Sequence, residues 1–331
     1  MNLRADMPVE DETTAVLHEI PGNRVPDRAR AGFFDSRDGK RLRYALFPAQ
    51  ARPLKGTVII LTGRNECIEK YFETIGDLSK LGLGSAMMDW RGQGGSERLT
   101  RDPQRGHVDS FDDYVADLDR FFTDIALPDC RGPFYILAHS TGALVALLAA
   151  PSLTNRVRRM VLSAPLLAFE GRNASVTGLR RISSLFYALG LGTIYLGWGR
   201  RPAVPPPFAT NKLTTDFARY QRNIALYERF PQLALGGPTA GWVRAACRAI
   251  EKVTDPAFAA RIQVPTLFVA AGADMVVSTR AIERYATGLR AASLLTIDGA
   301  RHELLQEADI YREQLLAAFA AFVPGTDTAI A

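Results

Sequence analysis

The segment FYILAHSTGALVALLAA, residues 134–150, decides the fold class of this 331-residue chain. Its first part is an apolar run typical of a buried strand, and its second part consists of small and apolar residues that favour a helix. A sharp strand-to-helix turn pushes one side chain, here Ser140, out over the sheet, and small residues two positions before and after it relieve the crowding. Ala138 and Gly142 are these small residues, although the common pattern Gly-x-Ser-x-Gly has glycine at both positions. On this segment alone, a serine that caps an ordinary helix explains the pattern equally well.

Strand-like and helix-like segments alternate on both sides of this turn. The strand-like runs are short and mostly apolar, as expected for strands covered on both faces: Leu42–Phe47, Thr57–Leu61, Ser85–Asp89, Phe134–Ala138, Met160–Ser163, Thr266–Ala270 and Ser293–Ile297. The helix-like runs carry apolar residues at helical spacing: Glu66–Leu81, Phe111–Leu127, Ala143–Ala150, Arg280–Leu289 and Leu305–Phe322. This alternation predicts an α/β fold with a mostly parallel central sheet flanked by helices.

One segment, residues 165–260, interrupts the alternation. It has no strand signal, and apart from the proline cluster PAVPPPF its pattern predicts helices, notably Thr215–Phe230 and Ala240–Val253. We therefore predict a helical cap inserted into an α/β core. The predicted organisation is an N-terminal extension (1–29), a first part of the core (30–164), the cap (165–260), a second part of the core (261–323) and a C-terminal tail (324–331).

Composition excludes several classes of protein. With 47% apolar and 23% charged residues, the chain can bury a large core and is neither disordered nor fibrous. Its three cysteines, Cys67, Cys130 and Cys247, fit neither a disulfide framework nor a zinc knuckle and indicate a reducing compartment. Residues 1–20 lack the basic and apolar regions of a signal peptide, so we expect a cytoplasmic protein.

Positive charge is concentrated in the predicted cap. Residues 165–260 contain 12 Lys and Arg against 5 Asp and Glu, whereas the net charge of the whole chain, +5, is too small to predict nucleic-acid binding. Within this segment, residues 182–199 are uncharged and are flanked on each side by a pair of arginines. Their length barely meets the threshold for a membrane-spanning helix and they include four glycines, so we expect a buried or surface-lying helical hairpin. Such a basic and apolar surface predicts peripheral contact with anionic lipid at the inner membrane face.

Two further loops supply partners for a serine nucleophile, which needs a base to take its proton and a carboxylate to orient that base. Asp274 follows the strand-like run TLFVA, and His302 follows SLLTI. Ser140, Asp274 and His302 thus lie in this order along the chain, each after a strand. This is the order of nucleophile, acid and base in α/β-hydrolases, so we predict that the three residues form a catalytic triad.

The other histidines and one other aspartate are weaker candidates. His18 lies in the acidic N-terminal segment, and His107 precedes a helix with no nucleophile near it in sequence. His139 adjoins the serine, but the residue before a nucleophile on such a turn points away from it, so we expect packing or a backbone hydrogen bond. Asp298 competes as the acid, yet it lies in the same loop as the candidate base and is expected to shape that turn.

An oxyanion hole requires two backbone N–H donors, one after the nucleophile and one in the loop after an earlier strand. Thr141 supplies the first. The strand-like run TVIIL leads into a loop in which Gly63 permits a tight turn and the N–H of Arg64 supplies the second. The alternatives are a solvated surface arginine at this position and, for Glu66, a residue favoured at the start of a helix by its macrodipole.

Six motifs together resemble the lysophospholipase and monoacylglycerol lipase group of α/β-hydrolases: LTGRNECIEKYFETI, MDWRGQGGSERL, GHVDSFDDYVADLDRF, FYILAHSTGALVAL, GADMVVS and GARHELLQE. The resemblance covers about residues 30–322 and implies an α/β-hydrolase fold with Ser140, Asp274 and His302 as triad and Arg64 and Thr141 as oxyanion donors. In this family, Asp89 and the turn Arg91-Gly92-Gln93-Gly94 look structural. The chain departs from the family at Ala138 and at Thr62, where many relatives have the histidine of a His-Gly pair.

The predicted activity is a serine carboxylic-ester hydrolase that forms an acyl-enzyme and needs neither cofactor nor metal. Apolar side chains of the cap, among them Leu185, Phe186, Tyr187 and Trp198, suit an acyl chain, so a lysophospholipid or monoacylglycerol is the expected substrate; the alternative is that they only pack the cap on the core. The same scaffold serves peptidases and thioesterases, and it also serves as a catalytically silent binding protein when a triad residue is lost. The sequence does not specify the oligomeric state.

Overall fold

The structure, a computed structural model, describes residues 15–171, 175–197, 199–202 and 204–323. Its centre is an eight-stranded sheet with the order β1-β2-β4-β3-β5-β6-β7-β8. The strands are β1 (Arg30–Asp35), β2 (Arg41–Phe47), β3 (Gly56–Leu61), β4 (Leu83–Met88), β5 (Phe134–His139), β6 (Val157–Ser163), β7 (Thr266–Ala271) and β8 (Ala292–Ile297). β2 runs antiparallel to its two neighbours, β1 and β4, and all other neighbouring strands are parallel. The prediction of a mostly parallel sheet is confirmed.

Helices cover both faces of this sheet. They are α1 (Phe72–Lys80), α2 (Phe111–Phe121), α3 (Leu127–Asp129), α4 (Thr141–Leu153), α5 (Val176–Ala188), α6 (Phe217–Arg229), α7 (Ala240–Thr254), α8 (Pro256–Ala259), α9 (Thr279–Thr287) and α10 (Asp309–Phe322). A π-helical segment, Phe122–Ala126, joins α2 to α3. Apolar side chains of α1 and α10 pack on one face of the sheet, and those of α2, α4 and α9 pack on the other.

The edge strand β1 escaped the sequence reasoning. Its sequence RAGFFD contains an arginine, a glycine and an aspartate, and its residues are alternately more and less buried. Edge strands need no continuous apolar run because one edge, and here much of the strand's surface, faces water. The signal is therefore weaker than that of the central strand β3, in which every residue is buried.

The described residues between β6 and β7 form helices α5 to α8 and no strand. The predicted helical hairpin at 182–199 is wrong: α5 ends at Ala188, and the residues after it form turns up to an isolated bridge between Tyr195 and Thr239. Gly190 ends the helix because it adopts a φ of +74°, a conformation that other residues avoid. In the part of the chain that the structure describes, no helix is long and apolar enough to cross a membrane.

The structure does not test the predicted limits of the cap, 165–260, which therefore remain a prediction. So do those of the N-terminal extension, of which residues 1–14 lie outside the described residues. The predicted C-terminal tail, 324–331, also lies outside them.

A buried ionic cluster shapes the sheet edge beside the site. The Arg43 guanidinium pairs with the carboxylates of Glu69 and Asp89, and Asp89 also accepts hydrogen bonds from the N–H groups of Ile68 and Gly95. Every charge in this cluster has an opposite partner, which is the condition for holding charges in a protein interior. The cluster fixes the turn after β4, as the family resemblance implies.

Candidate active site

Ser140 lies at the turn between β5 and α4 with φ of +50° and ψ of −110°. Such a backbone is strained for a serine, and surrounding structure must hold it. Its N–H donates to the carbonyl of Ser163 at 3.0 Å, and its own carbonyl accepts from Leu166 at 3.1 Å. Gly142 is required two residues later, because a Cβ at that position would lie within 3.0 Å of backbone atoms of the loop after β3.

The structure brings the three predicted triad residues together. His302 Nε2 lies 3.0 Å from Ser140 Oγ, and His302 Nδ1 lies 2.7 Å from Asp274 Oδ2. The second carboxylate oxygen of Asp274 accepts hydrogen bonds from the N–H groups of Val276 (2.7 Å) and Val277 (3.0 Å). The aspartate is therefore fixed by its own loop, the imidazole by the aspartate, and the hydroxyl faces the free ring nitrogen. A hydroxyl, a base and an orienting carboxylate in this chain can perform nucleophilic acyl transfer.

The competing residues lie elsewhere. Asp298 is exposed. The ring of His18 stacks on Phe230, and His107 Nδ1 bonds to the Thr239 hydroxyl at 2.8 Å. Neither of these two histidine contacts is with the serine.

His139 lies behind the triad rather than in it. Its Nε2 is 3.2 Å from the carbonyl oxygen of His302, and its Nδ1 is 3.2 Å from Glu66 Oε2. Both ring nitrogens face acceptors, and both can donate only in the protonated imidazolium. Burial lowers the pKa of His139, but the Glu66 carboxylate outweighs it and the pKa is raised above its usual value. The side chain thus ties the backbone of the candidate base to a buried carboxylate, the kind of backbone hydrogen bond expected for it.

Glu66 is the centre of a buried charged network that sequence reasoning missed. Its carboxylate accepts hydrogen bonds from Lys70 Nζ (2.7 Å), the Tyr71 hydroxyl (2.7 Å), His139 and the N–H of Gly63. Burial would raise the pKa of Glu66, but the neighbouring cations of Lys70 and His139 hold it well below its usual value. The four-residue spacing of Glu66 and Lys70, in a segment predicted to be helical, was the signal available in the sequence.

Lys70 extends this network to the loop of the candidate base. Its ammonium lies 2.7 Å from Glu303 Oε1 as well as 2.7 Å from Glu66 Oε1. Glu303 follows His302 directly, and its N–H donates to the carbonyl of Leu213 at 2.8 Å. One buried cation therefore connects the loop after β3 with the loop after β8.

The loop after β3 offers a backbone N–H between two that are already used. The N–H of Gly63 donates to Glu66, and the N–H of Asn65 donates to Gln93 Oε1 at 2.7 Å. The N–H of Arg64 lies between these two in sequence and has no hydrogen-bond acceptor in the described parts of the chain. Thr141 is the first residue of α4, so its N–H has no acceptor within the helix either. Two free donors near Ser140 can hold a developing oxyanion.

This loop is supported without the histidine that many relatives have where this chain has Thr62. Glu66 and Gln93 hold the N–H groups on either side of Arg64, and Trp90 Nε1 donates to the carbonyl of Thr62 at 2.9 Å. The departure at Thr62 therefore leaves the loop anchored by side chains from three other positions.

The residues predicted to contact an acyl chain differ in their exposure and in their partners. Leu185 is 62% exposed on α5. The Tyr187 hydroxyl donates to Asp109 at 3.0 Å, and Phe186 is half-buried. Trp198 lies outside the described residues. Their role in substrate binding stays a prediction.

Comparison with known proteins places this geometry in a family. Residues 52–309 match the family described as serine aminopeptidase, S33. The chain belongs to this family. A curated relative, lysophospholipase L2 of Escherichia coli (strain K12), is 35% identical over 297 residues, which is 87% of this chain and 86% of that protein. A probable lysophospholipase L2 of Haemophilus influenzae is 28% identical over 274 residues, 83% of this chain and 85% of that protein.

A solved structure of the same hydrolase architecture aligns along nearly the whole chain. The soluble variant of monoglyceride lipase from Saccharomyces cerevisiae, in complex with a substrate analog, has a TM-score of 0.71 and 18% identity, covering 95% of this chain and 100% of that one. The family match, the relatives and this architecture confirm that the chain is an α/β-hydrolase of the lysophospholipase and monoacylglycerol lipase group. Because one scaffold serves many reactions, the family name alone does not fix the bond that is cleaved.

Proposed function

We propose that the protein is a serine carboxylic-ester hydrolase that acts on single-chain lipid esters, with lysophospholipids as the leading substrates. The observation that carries the proposal is the continuous chain from Ser140 Oγ through His302 to Asp274, at 3.0 and 2.7 Å, beside two free backbone N–H groups. Relatives of this chain that are called lysophospholipases support the choice of substrate class.

The proposed reaction has two half-reactions with one base. His302 Nε2 takes the proton of Ser140 as its oxygen attacks the ester carbonyl, and the N–H groups of Arg64 and Thr141 hold the oxyanion. Collapse of this intermediate breaks the bond to the alcohol, which leaves with the proton from His302, and an acyl-serine remains. Water, deprotonated by the same imidazole, then attacks the acyl-serine and releases the fatty acid and the free enzyme.

A peptidase function is the alternative that the family description raises, and we do not favour it. Binding of a substrate's terminal amine requires an unpaired carboxylate near the nucleophile. Three of the five acidic side chains of the cap are engaged elsewhere. Glu251 pairs with Arg180 at 2.8 Å, and Asp216 pairs with Arg219 at 3.1 Å. Asp255 caps α8 by accepting hydrogen bonds from two of its N–H groups.

The proposal is tested by labelling and by a substrate panel. A fluorophosphonate probe should label the wild type at Ser140, and Ser140→Ala should remove labelling while leaving the urea unfolding curve intact. The panel compares lysophospholipids, monoacylglycerols, acyl-CoAs and aminoacyl amides. Labelling that survives the substitution contradicts the nucleophile, and preference for amides contradicts the substrate class.

We further propose that the enzyme contacts anionic lipid at the inner membrane face through α5 and the residues after it. Ile182, Leu185 and Leu189 follow each other at helical spacing and are 52%, 62% and 65% exposed. An exposed apolar stripe on a basic segment fits the interface of a bilayer. Of the arginines flanking this segment, Arg180 is paired with Glu251 and Arg200 with Asp102, so the apolar stripe is the main element of the contact.

Vesicle sedimentation tests this contact. The protein should bind vesicles that contain phosphatidylglycerol but not pure phosphatidylcholine, and added salt should weaken binding as the Debye length shortens. Ile182→Ser with Leu189→Ser should reduce binding and leave hydrolysis of a soluble short-chain ester unchanged. Ile310→Ser on α10, where the side chain is 70% exposed far along the chain from α5, is the matched control. Equal binding of both vesicle types contradicts the proposal.

A further inference from the structure

Five buried side-chain nitrogen and oxygen atoms in and beside the oxyanion loop have no hydrogen-bond partner among the described residues: Thr62 Oγ1 and four atoms that lie together. These four are Arg64 Nε, Gln93 Nε2, the Tyr114 hydroxyl and Trp242 Nε1. All four carry a hydrogen to donate, and the Tyr114 oxygen is the one atom among them that can also accept. Buried polar groups are nearly always satisfied, so a cluster of unmatched donors requires an explanation.

The four groups converge on one place. The Arg64 guanidinium lies 5.6 Å from the centre of the Trp242 ring. The N–H groups of Gln93 and Trp242 approach the Tyr114 oxygen without reaching good hydrogen-bond geometry, and Arg64 interacts with the Tyr114 hydroxyl electrostatically. The Phe111 ring supports both aromatic partners, at 5.2 Å from Tyr114 and 5.7 Å from Trp242. Residues from the oxyanion loop, the turn after β4, α2 and α7 thus form a single cluster.

The orientation of Gln93 makes its contribution a donor. Its Oε1 accepts the hydrogen bond from the N–H of Asn65 at 2.7 Å, so its amide nitrogen is the group that remains. The cluster therefore combines N–H and O–H groups with one positive charge and lacks a carboxylate.

Arg64 differs from Arg43 and Arg91, two buried arginines of this protein that pair with carboxylates. Arg43 pairs with Glu69 and Asp89, and Arg91 pairs with Asp117 and Asp38. Arg64 donates one hydrogen bond, from Nη2 to the carbonyl of Gly236, and burial lowers its pKa to about 10. A partly buried guanidinium whose Nε is buried without an acceptor is the arrangement expected when the missing acceptor belongs to a ligand.

We propose that Arg64, Gln93, Tyr114 and Trp242 form a subsite for the phosphodiester group of a lysophospholipid, beside the ester that Ser140 attacks. This inference rests on the proposed function and makes it more specific. It separates lysophospholipids from monoacylglycerols, which have a hydroxyl in place of the phosphate. A phosphate oxygen takes the place of the Gly236 carbonyl as acceptor for the guanidinium and also accepts from the neighbouring donors.

The lengths of substrate and side chain agree with this arrangement. In a 1-acyl lysophospholipid, about six covalent bonds separate the carbonyl carbon from the phosphorus, and about five separate the backbone nitrogen of Arg64 from its Nε. The backbone of Arg64 therefore meets the oxyanion while its side chain reaches the phosphate. The same residue binds both ends of the glycerol unit.

The test compares two substrates with the same acyl chain, a lysophosphatidylglycerol and a monoacylglycerol. Arg64→Met should lower kcat/KM for the lysophospholipid about ten- to hundredfold more than for the monoacylglycerol, since one substrate loses charge-assisted hydrogen bonds and the other does not. Trp242→Phe, which keeps a ring and removes one donor, should shift the ratio in the same direction by a smaller factor. The ratio of the two values is the readout, so a general loss of activity does not imitate the effect.

Arg98→Met is the matched control. Arg98 is likewise partly buried, donates to a carbonyl of the cap (Gln232) and has its pKa lowered by burial. Its replacement should leave the ratio of the two kcat/KM values unchanged.

Three outcomes overturn the proposal. If both lipids are hydrolysed and Arg64→Met affects them equally, the cluster does not bind the headgroup, while the proposed function stands. If inorganic phosphate inhibits both substrates equally and the ratio is unchanged, the cluster takes free phosphate instead. If the wild type hydrolyses neither lipid, the proposed function fails together with this inference.

Discussion

Replacing Glu66 by glutamine tests whether the buried network holds the oxyanion loop. The carboxylate has four donors around it: the N–H of Gly63, the Tyr71 hydroxyl, His139 and Lys70. A glutamine keeps one acceptor oxygen and gains an NH₂ group, which must face at least one of these donors. With its nitrogen toward Lys70, the amide can still accept at the position that serves the other three.

The size of the effect follows from these contacts. Lys70 loses one charge-assisted hydrogen bond of about 1.5–3 kcal/mol but keeps its pair with Glu303 at 2.7 Å. We therefore expect the free energy of unfolding to fall by about 2–3 kcal/mol, less than the loss of an isolated buried partner. Loss of an oxyanion donor costs about 10²–10³ in kcat. A neutral amide oxygen holds the N–H of Gly63 less strongly than a carboxylate does, so the adjacent N–H of Arg64 is less firmly placed and we expect kcat to fall about ten- to hundredfold.

The assay is hydrolysis of p-nitrophenyl butyrate, with urea unfolding measured on the same samples. Glu303→Gln is the matched control, because it also takes one carboxylate from Lys70 but leaves the bond to Gly63. It should lower the free energy of unfolding by a similar amount. It should change kcat less than about threefold, which is far smaller than the effect of losing an oxyanion donor. If Glu66→Gln is destabilised and retains kcat, or if both variants lose kcat equally, the assignment of Glu66 to the oxyanion loop is wrong.

Three further predictions follow from the site. Asp274→Asn should lower kcat by about 10⁴, because the imidazole loses its orienting carboxylate, whereas Asp298→Asn should stay within about tenfold; steady-state kinetics showing the reverse order would reassign the acid. The Glu66 carboxylate raises the pKa of His139 in the folded protein, against the effect of burial. The charge of His139 therefore stabilises the fold fully below the pKa of the unfolded state, about 6.5, and this stabilisation is lost as the pH rises through the pKa of the folded state. Urea unfolding should therefore show a fall in stability above neutral pH that His139→Gln lacks, and an identical pH profile of both proteins would contradict this. Gly142→Ala should destabilise the fold by about 2 kcal/mol or more, since its Cβ would overlap backbone oxygens that cannot move aside, and an unchanged unfolding midpoint would show that the elbow has more room than the structure indicates.

The central strands, their helices and the positions of Ser140, Asp274 and His302 could be predicted from the sequence alone. The reason is physical: strands of a parallel sheet that are buried on both faces need continuous apolar runs, and the loops after them meet at one edge. Local patterns therefore carried both the fold and the order of the candidate triad. Polar edges and turns carry weaker patterns, which is why β1 was missed and a helix was expected after Ala188.

Only the tertiary structure decided what surrounds these residues. Glu66 and His139 lie 73 positions apart, and His139 and the carbonyl of His302 lie 163 apart, so no local pattern predicts their bonds. From the sequence, Arg64 was predicted only as a backbone donor. The tertiary structure places its guanidinium beside Trp242 of the cap, with no carboxylate paired to it. Patterns of polarity determine which residues are buried. The free energy of a buried charge depends instead on which groups the folded chain places around it, and distant segments supply those groups.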